Sequence, residues 1–451
     1  MAGTGKSGVV LVPSITCPHC TEAFPPEKLK FIARSPTLNF DHKLPDGHMR
    51  RFSPSKFTFQ GDAVDYGGEV CSETACPQCH LKVPRLLAMR PMLPFSVFGS
   101  PSSGKSYLLG AMCRMLRERL GACRLRFDDV DVESNEILLD YERRLFQQPS
   151  PGHWVYLEKT QELGAWYSDV WFGPRTDPKT GAELLRNRKT YPKPFLMRVD
   201  PQEGHPTASD PSSGRVICLF DNAGEHFQVG NDRYNNVTRH LKESCGLVFV
   251  YDPTQDPKFR EACRERSSDR QFRDVKVDTQ DVLYGNVMNR LLSLRSMLPT
   301  ERVKVPLVVA LTKYDAWRFL LDSQGGLPPP YRRLQAGGGQ EITLFAGDAV
   351  DVVSQRCRDL LMRVTPHFVS TIESRCEPDG IRYIPVSATG GPSAGKTRAE
   401  DWPFAPSPAP PDGYDYFLQK DIRPEWAEVP LLTLMRMAAP NLLPGAIAEL
   451  R

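Results

Sequence analysis

Short apolar runs alternate with longer amphipathic stretches along most of this chain. The runs at 246–251 and 305–311 are apolar at nearly every position, which is typical of strands buried on both faces of a parallel sheet. The runs at 195–199 and 215–220 are joined by a polar segment, and this arrangement indicates an antiparallel hairpin. Further apolar residues recur at helical spacing. The segments with helical spacing are 107–120, 129–148, 163–170, 282–297, 342–372 and 428–437.

A glycine-bounded loop joins the apolar run at 95–98 to the first of these helices. It reads G-S-P-S-S-G-K-S, and its glycines let backbone N–H groups turn inward to hold anionic oxygens together with the helix N-terminus. Lys105 would reach the β- and γ-phosphates of a nucleotide, and the Ser106 hydroxyl would bind Mg²⁺. Similar patterns at 3–7 and 390–397 have no helix after them, so neither is predicted to bind phosphate. The predicted contacts of the loop are Gly99, Ser102, Ser103, Gly104, Lys105, Ser106 and Tyr107.

A second motif, D-x-x-G, stands at the end of the run at 215–220. Asp221 can hold Mg²⁺ through water, and the N–H of Gly224 can contact a γ-phosphate. The pattern is weak alone, but it gains weight from the phosphate loop that precedes it.

Two later strand ends carry residues suited to reading guanine. In Thr312-Lys313-Tyr314-Asp315, the carboxylate of Asp315 can accept two hydrogen bonds from guanine while the Lys313 stem packs over the base. Adenine would leave that buried carboxylate unpaired, which costs affinity. The last strand, at 381–386, ends in Ser387-Ala388, whose backbone can contact the guanine O6.

Two C-P-x-C turns precede the phosphate loop. Tight turns of this kind let two thiolates converge on one ion, so the pair predicts a closed zinc site formed by Cys17, Cys20, Cys76 and Cys79. The intervening stretch is long, but loop closure costs little more as length grows. Cys71 and His80 remain alternative ligands. A redox pair is less favoured, because no βαβ pattern accompanies the turns.

The ordered motifs together resemble the Ras-like GTPase family over about 93–438. The resemblance implies an α/β P-loop GTPase fold, with a mostly parallel twisted sheet, helices on both faces and the nucleotide at the carboxyl ends of the strands. It implies GTP or GDP and Mg²⁺ as ligands, and a domain at 91–451 with insertions near 316–343 and 390–420. The region at 1–90 is expected to be a small zinc-ribbon-like unit with a long insertion between its knuckles.

The knuckles placed before the loop, with the segment at 221–227, are similar to bacterial double-GTPase proteins of predicted conflict systems. That narrower resemblance implies a cytoplasmic switch or effector and a protein partner, either a second GTPase or an activating protein.

The chain departs from the family pattern at two places. The family has a water-positioning glutamine directly after the D-x-x-G glycine, whereas this chain has Glu225 and then His226. A carboxylate would be repelled by the γ-phosphate. His226 could orient the water instead, but a histidine beside an acidic residue more often forms a surface pair, so slow hydrolysis is expected. The catalytic candidates are thus Lys105, Gly224, Glu225 and His226.

The second departure concerns the switch threonine that adds a Mg²⁺ ligand. It should lie upstream of the strand at 195–199, and both Thr160 and Thr190 qualify. The resemblance favours Thr160, and distance along the sequence favours Thr190.

Composition and charge bear on the possible partners of the protein and on its location in the cell. With 57 basic and 54 acidic residues the net charge is +3, so nucleic acid is not favoured as a partner. No apolar run is long enough for a membrane span, and no secretory core precedes Pro13. Single cysteines inside apolar segments fit a reducing cytosol.

A slow GTP-hydrolysing switch is therefore the leading hypothesis. A GTPase-fold scaffold that binds nucleotide without hydrolysing it, a zinc region that reads nucleic acid, and the use of ATP are the alternatives.

Overall fold

The computed structural model describes most of the chain. The described residues are 11–149, 154–157, 167–172, 187–210, 212–227, 236–264, 280–322, 325–335, 341–391, 395–396 and 415–443.

A seven-stranded sheet forms the centre of the molecule. Its strands are β1 (Met92–Gly99), β2 (Leu125–Asp129), β3 (Phe195–Pro201), β4 (Arg215–Asp221), β5 (Gly246–Tyr251), β6 (Leu307–Leu311) and β7 (Ile381–Pro385). They lie in the order β7-β6-β5-β1-β4-β3-β2. All pairs from β7 to β4 are parallel, and β3 is antiparallel to both its neighbours. The mostly parallel sheet and the β3–β4 hairpin are confirmed.

Helices cover both faces of this sheet. Val248 and Val250 of β5 join one apolar cluster with the first and last helices, whereas Phe249 between them joins another with the middle helices. This alternation explains why the strand is apolar throughout. The helices are α1 (Lys105–Arg119), α2 (Glu136–Phe146), α3 (Pro257–Cys263), α4 (Gln280–Leu294), α5 (Tyr314–Trp317), α6 (Phe319–Asp322), α7 (Gly347–Val364), α8 (Pro366–Arg375) and α9 (Val429–Ala438). Within the described ranges, none of them combines the length and the apolarity needed to cross a bilayer.

The N-terminal residues form a small module of very short strands that packs on the sheet. Its cysteine turns share an apolar cluster with Leu196 of β3 and with Val216 and Phe220 of β4. The module therefore covers part of a sheet face that a helix would otherwise cover. Its strands are Ile15–Thr16, Ala23–Phe24, Lys30–Ile32, Arg51–Phe52, Ala63–Val64, Val70–Cys71 and Thr74–Ala75.

Among the described residues, three antiparallel additions lie outside both the central sheet and the N-terminal module. Tyr167–Phe172 pairs with Asn187–Pro192, and Tyr331–Gln335 pairs with Glu341–Phe345. In the third, Asp415–Leu418 pairs with the two-residue strands Trp154–Val155 and Gly395–Lys396. The glycine-rich pattern at 390–397 thus leads into a strand at Gly395, as expected for a sequence that starts no helix.

Two helix predictions are wrong in part. The segment 342–372 begins as a strand, and its helical portion is divided at Thr365, because Pro366 lacks the N–H that a continuous helix needs. Residues 167–170 are extended rather than helical, since their aromatic and β-branched side chains pair across a hairpin; residues 163–166 lie outside the described ranges.

Phe249 offers a test of the core. Its ring is fully buried, stacking on Phe98 at 5.1 Å and on Tyr284 at 5.5 Å between centroids. Phe249→Ala should lower the free energy of unfolding by about 3–5 kcal/mol in urea denaturation, because the lost apolar contacts leave a cavity. Phe59→Ala is the matched control, because its ring is fully exposed and the change should stay within about 0.5 kcal/mol. Equal effects of the two substitutions would contradict this assignment of the core.

Candidate functional site

The sequence motifs lie at the carboxyl ends of the parallel strands. Strand β1 lies between β4 and β5 in the sheet. After β1 the chain forms β2, β3 and β4 on one side of it and then crosses to β5 on the other side. Such a switch point opens a crevice beyond the strand ends. The loop at 100–104 follows β1 there, and the D-x-x-G segment follows β4.

Backbone conformation shapes the loop after β1. Ser102 (φ 62°) and Gly104 (φ 85°) are left-handed, and α1 begins directly afterwards at Lys105. A Cβ on Gly99 would lie 2.7 Å from the Val250 carbonyl oxygen, so only glycine fits there. The Ser103 hydroxyl is buried and has no hydrogen-bond partner among the described residues. The loop thus presents a helix N-terminus and a buried hydroxyl at one place, which suits an anionic ligand.

Lys105 and Asp221 form a buried ion pair that joins this loop to the end of β4. Their side chains are 8% and 3% exposed. Parallel pairing aligns Asp221 with Val97 of β1, and this register places the carboxylate beside the lysine. Each charge compensates the other, since an isolated buried charge would be costly. Ser106, the next residue of α1, is also buried.

The D-x-x-G turn lies close against β1. A Cβ on Gly224 would be 3.1 Å from the Gly99 carbonyl oxygen, and a short 3₁₀ turn, Gly224–Phe227, follows. The structure describes Glu225 only by its backbone. The expectation that His226 forms a surface pair is wrong, because this residue is only 4% exposed. Its Nδ1 lies 3.4 Å from the amide nitrogen of Asn222 and 3.4 Å from the hydroxyl of Tyr167.

The residues predicted to read guanine meet at the ends of β6 and β7. The Ser387 hydroxyl donates a hydrogen bond to Asp315 and accepts one from the N–H of Gly390 at 2.7 Å. Lys313, which is left-handed (φ 56°), reaches the carboxylate of Asp252 at 2.7 Å. Thr312 donates to the Tyr251 carbonyl oxygen at 3.2 Å through its hydroxyl. Ala388, directly after Ser387, is partly buried.

Asp252 is a site residue that the sequence reasoning missed. Its side chain is fully buried, and Gln280 of α4 bonds both its N–H and its carbonyl oxygen at 2.9 Å. The signal was present, because Asp252 ends the apolar run at 246–251 as Asp221 ends the run at 215–220.

The two candidate switch threonines differ in what the structure says of them. Thr190 lies on Asn187–Pro192, where its hydroxyl donates to Asp169 at 2.6 Å across the hairpin. Thr160 lies outside the described residues.

The four predicted zinc ligands converge. Cys17 Sγ lies 3.7 Å from Cys79 Sγ, and Cys20 Sγ lies 3.7 Å from Cys76 Sγ. A tetrahedral ion with Zn–S bonds of about 2.3 Å holds its sulfurs about 3.8 Å apart, so the donor set fits zinc. Burial raises the pKa of the Cys17 thiol, and a bound cation would offset this cost of forming a thiolate.

The two C-P-x-C turns have matching backbones. The N–H of His19 donates to Cys17 Sγ at 3.4 Å, and the N–H of Gln78 donates to Cys76 Sγ at 3.3 Å. The residue after each second cysteine is left-handed, with φ of 62° at both Thr21 and His80. Two equivalent knuckles thus present their sulfurs to one point.

Neither alternative ligand belongs to this cluster. The Cys71 thiol contacts Asp65, with Sγ 3.7 Å from Oδ2. The imidazole of His80 instead bonds Asp41 at 2.9 Å through Nδ1. This bond and those from two backbone N–H groups hold the pKa of the Asp41 carboxyl well below its usual range, against the opposing effect of burial.

Comparison with known proteins gives only distant similarity. No protein-family model and no curated protein matches this chain. Among solved structures it is similar to the GTP-bound GTPase-like domain of S. cerevisiae Ski7, with 13% identity, a TM-score of 0.27, and coverage of 79% of this chain and 53% of that one. It is also similar to sup35 complexed with GDP, with 12% identity, a TM-score of 0.22, and coverage of 71% and 43%.

The chain therefore spans about half the length of the structures it matches, or less. These TM-scores are low, so the function proposed below depends on the residues of this chain alone.

Cysteine substitution tests the zinc site. Cys79→Ser should remove the bound zinc, because three thiolates no longer close the tetrahedron. Cys71→Ser is the matched control: it is equally buried but bonds Asp65, so about one zinc per chain should remain. Elemental analysis of the purified proteins measures the stoichiometry. Zinc retained in Cys79→Ser, or lost in Cys71→Ser, would contradict the ligand set.

Proposed function

We propose that this protein is a guanine-nucleotide-binding switch that hydrolyses GTP slowly in the presence of Mg²⁺. The observation that carries the proposal is one continuous edge of the sheet. Along it lie a phosphate loop after β1, the buried Lys105–Asp221 pair between β1 and β4, and the Asp315–Ser387 bond between β6 and β7. The groups suited to phosphate chemistry and those suited to base recognition thus lie along one edge of the sheet, on either side of β5.

The phosphates would lie on the loop and on the N-terminus of α1. The inward N–H groups and the buried Ser103 hydroxyl would donate to phosphate oxygens, and Lys105 would leave Asp221 to contact the β- and γ-phosphates. Exchanging a carboxylate partner for a phosphate partner keeps the buried ammonium compensated. The ion pair with Asp221 would therefore hold the lysine ready at the place where the charge of the ligand arrives.

Once Lys105 contacts the phosphates, the oxygen donors of Ser106 and Asp221 would be available to Mg²⁺. Ser106 directly follows Lys105, whose side chain pairs with Asp221, so the Ser106 hydroxyl and the Asp221 carboxylate would be the Mg²⁺ ligands, and hard oxygen ligands are those that Mg²⁺ prefers. When bound, the ion would neutralise charge on the phosphates. Thr160 or Thr190 would add a further ligand.

Asp315 would select guanine through its two carboxylate oxygens. Ser387 fixes the carboxylate by donating to one oxygen, and Gly390 in turn fixes Ser387. Asp252 holds the ammonium group of Lys313 at 2.7 Å, and the stem of this side chain would lie along the face of the base. Thr312 and Ala388 would complete the pocket through their backbone groups.

Hydrolysis would use the charge-stabilising groups of this edge. Lys105, the loop N–H groups and the N–H of Gly224 would stabilise negative charge as water attacks the γ-phosphate. Glu225 occupies the position of a water-orienting glutamine and would be repelled by that phosphate. Slow turnover follows, and a second GTPase or an activating protein would supply the missing group in the cytoplasm.

The four-cysteine site would have a structural role. Zinc would hold the two knuckles together at the cluster they share with β3 and β4, so region 1–90 would fold onto the nucleotide domain at 91–451. The placement of this unit before the phosphate loop supports membership among conflict-system GTPases.

Glu225 also favours a second candidate function, a scaffold that binds GTP without cleaving it. Single-turnover assays with protein in excess of GTP separate the two functions. Lys105→Ala should lower phosphate release by about a hundredfold or more, because it removes a group that stabilises transition-state charge. Lys56→Ala, at an exposed position, should keep the wild-type rate. Absence of phosphate release by the wild-type protein would identify the scaffold.

Substitution of Asp315 tests base selection separately from catalysis. Asp315→Asn should weaken GDP binding by about tenfold to a hundredfold, because charged hydrogen bonds to guanine are lost. It should strengthen binding of xanthosine diphosphate, whose C2 carbonyl oxygen accepts from the new amide. Asp46→Asn, at an exposed position, is the control. Unchanged GDP affinity in Asp315→Asn, measured by calorimetry, would contradict guanine recognition.

A further inference from the structure

A buried chain of polar side chains runs behind the nucleotide edge. Ser96 interrupts the apolar sequence of β1, and its hydroxyl lies 2.8 Å from Nδ1 of His240 and 2.6 Å from the hydroxyl of Ser244. Nε2 of His240 contacts the side-chain oxygen of Asn222 at 2.5 Å, and the Asn222 amide nitrogen faces His226. All five residues are at most 4% exposed. They are sequestered from water, so their hydrogen bonds must be satisfied mutually.

The Asn222 amide sets the direction of these bonds. Because its oxygen faces His240, the imidazole donates from Nε2. Burial lowers the pKa of His240 to about 3, so the ring is neutral near pH 7 and carries only this one proton. Nδ1 of His240 then accepts from Ser96, and Ser96 accepts from Ser244, whose hydroxyl also donates to the His240 carbonyl oxygen at 3.3 Å.

The same reasoning extends to His226 at the other end. The Asn222 amide nitrogen donates to Nδ1 of His226, and the Tyr167 hydroxyl faces the same nitrogen. A ring nitrogen that accepts a hydrogen bond cannot also carry the proton. With Nδ1 accepting, the His226 ring carries its proton on Nε2.

We infer that His240 is a positioning residue: it links β1 to Asn222 and thereby fixes His226 as the Nε2–H tautomer. This inference rests on the proposed function only for its consequence for hydrolysis. Beside the γ-phosphate, such a histidine would be a hydrogen-bond donor, whereas accepting a proton from water at Nε2 would require the other tautomer.

The positions of these hydrogen-bonded residues explain why a link between β1 and Asn222 would matter. Ser96 lies on the strand that leads into the phosphate loop, and Asn222 lies inside the D-x-x-G motif. His240 belongs to the 3₁₀ turn Arg239–Lys242 and stacks on Phe220 of β4, with ring centroids 4.0 Å apart and an interplanar angle of 5°. The bonds thus hold the D-x-x-G turn in register with the loop.

Nitrogen-15 NMR of the full-length protein tests the tautomer directly. Selective labelling of histidine and long-range proton–nitrogen correlation at pH 7 distinguish Nε2–H, Nδ1–H and cationic rings, and comparison with His226→Gln assigns the signal. The expected result is an Nε2–H ring. A His226 ring that is protonated on Nδ1, or cationic, would overturn the inference.

Two substitutions of His240 distinguish a role of its hydrogen bonds in positioning Asn222 from a role in packing alone. Gln can accept from Ser96 and donate to Asn222, so His240→Gln should keep the His226 tautomer. His240→Leu keeps an apolar side chain and loses both bonds, so the His226 signal should show a mixture of tautomers. Ser244→Ala is the control, because Ser96 still donates to His240 without it.

The inference fails if His240→Leu leaves the tautomer unchanged. If that variant does not fold, the spectra of the wild-type protein and of His240→Gln still show whether His226 is the Nε2–H tautomer. Single-turnover GTP hydrolysis gives a second measurement: it should fall about tenfold in His240→Leu and recover in His240→Gln, with GDP affinity unchanged in both. If the wild-type protein hydrolyses no GTP, the proposed hydrolysis fails while the tautomer test stands.

Discussion

Parallel pairing of β1 with β4 on one side and β5 on the other is the constraint on which the site depends. The register opposes Asp221 to Val97 and Gly99 to Val250. A shift by one residue would turn Asp221 to the other face of the sheet and away from Lys105. The same pairing brings the Val250 carbonyl so close to Gly99 that a side chain cannot be accommodated there. Backbone hydrogen bonds in the core thus position charges at its edge.

The charged groups along this edge are held in compensated pairs. Lys105 is neutralised by Asp221, and Lys313 by Asp252, while Asp315 accepts from Ser387. Each pair joins two different strand ends. A nucleotide bound as proposed would exchange partners with groups that are already placed, instead of having to order mobile side chains, and such preorganisation lowers the cost of binding.

The apolar core strands and the positions of D-x-x-G and T-K-x-D at strand ends could be predicted, because each depends on local spacing. The convergence of the four cysteines joins residues 56 and 62 apart, and it was predictable because two local C-x-x-C turns share one metal-binding geometry. Other features depend on contacts between distant residues. Edge strand β2 was missed, since its alternating Leu-Arg-Phe-Asp-Asp sequence is short and lies near a helical pattern. The burial of His226 could not be read from its acidic neighbour, because Asn222 and Tyr167 enclose it. In the sequence, Ser96 stands out only as one polar residue in an apolar strand, because its partners His240 and Ser244 are distant along the chain.

With zinc bound as proposed, the N-terminal module that packs on β3 and β4 would also link the solubility of the protein to its metal supply. The face it covers includes Leu196, Val216, Cys218 and Phe220, all at most 2% exposed. If the knuckles opened, this surface would meet water as one contiguous apolar patch, a recognised route to self-association. If the four cysteines bind zinc as proposed, a shortage of zinc would then promote aggregation of this protein.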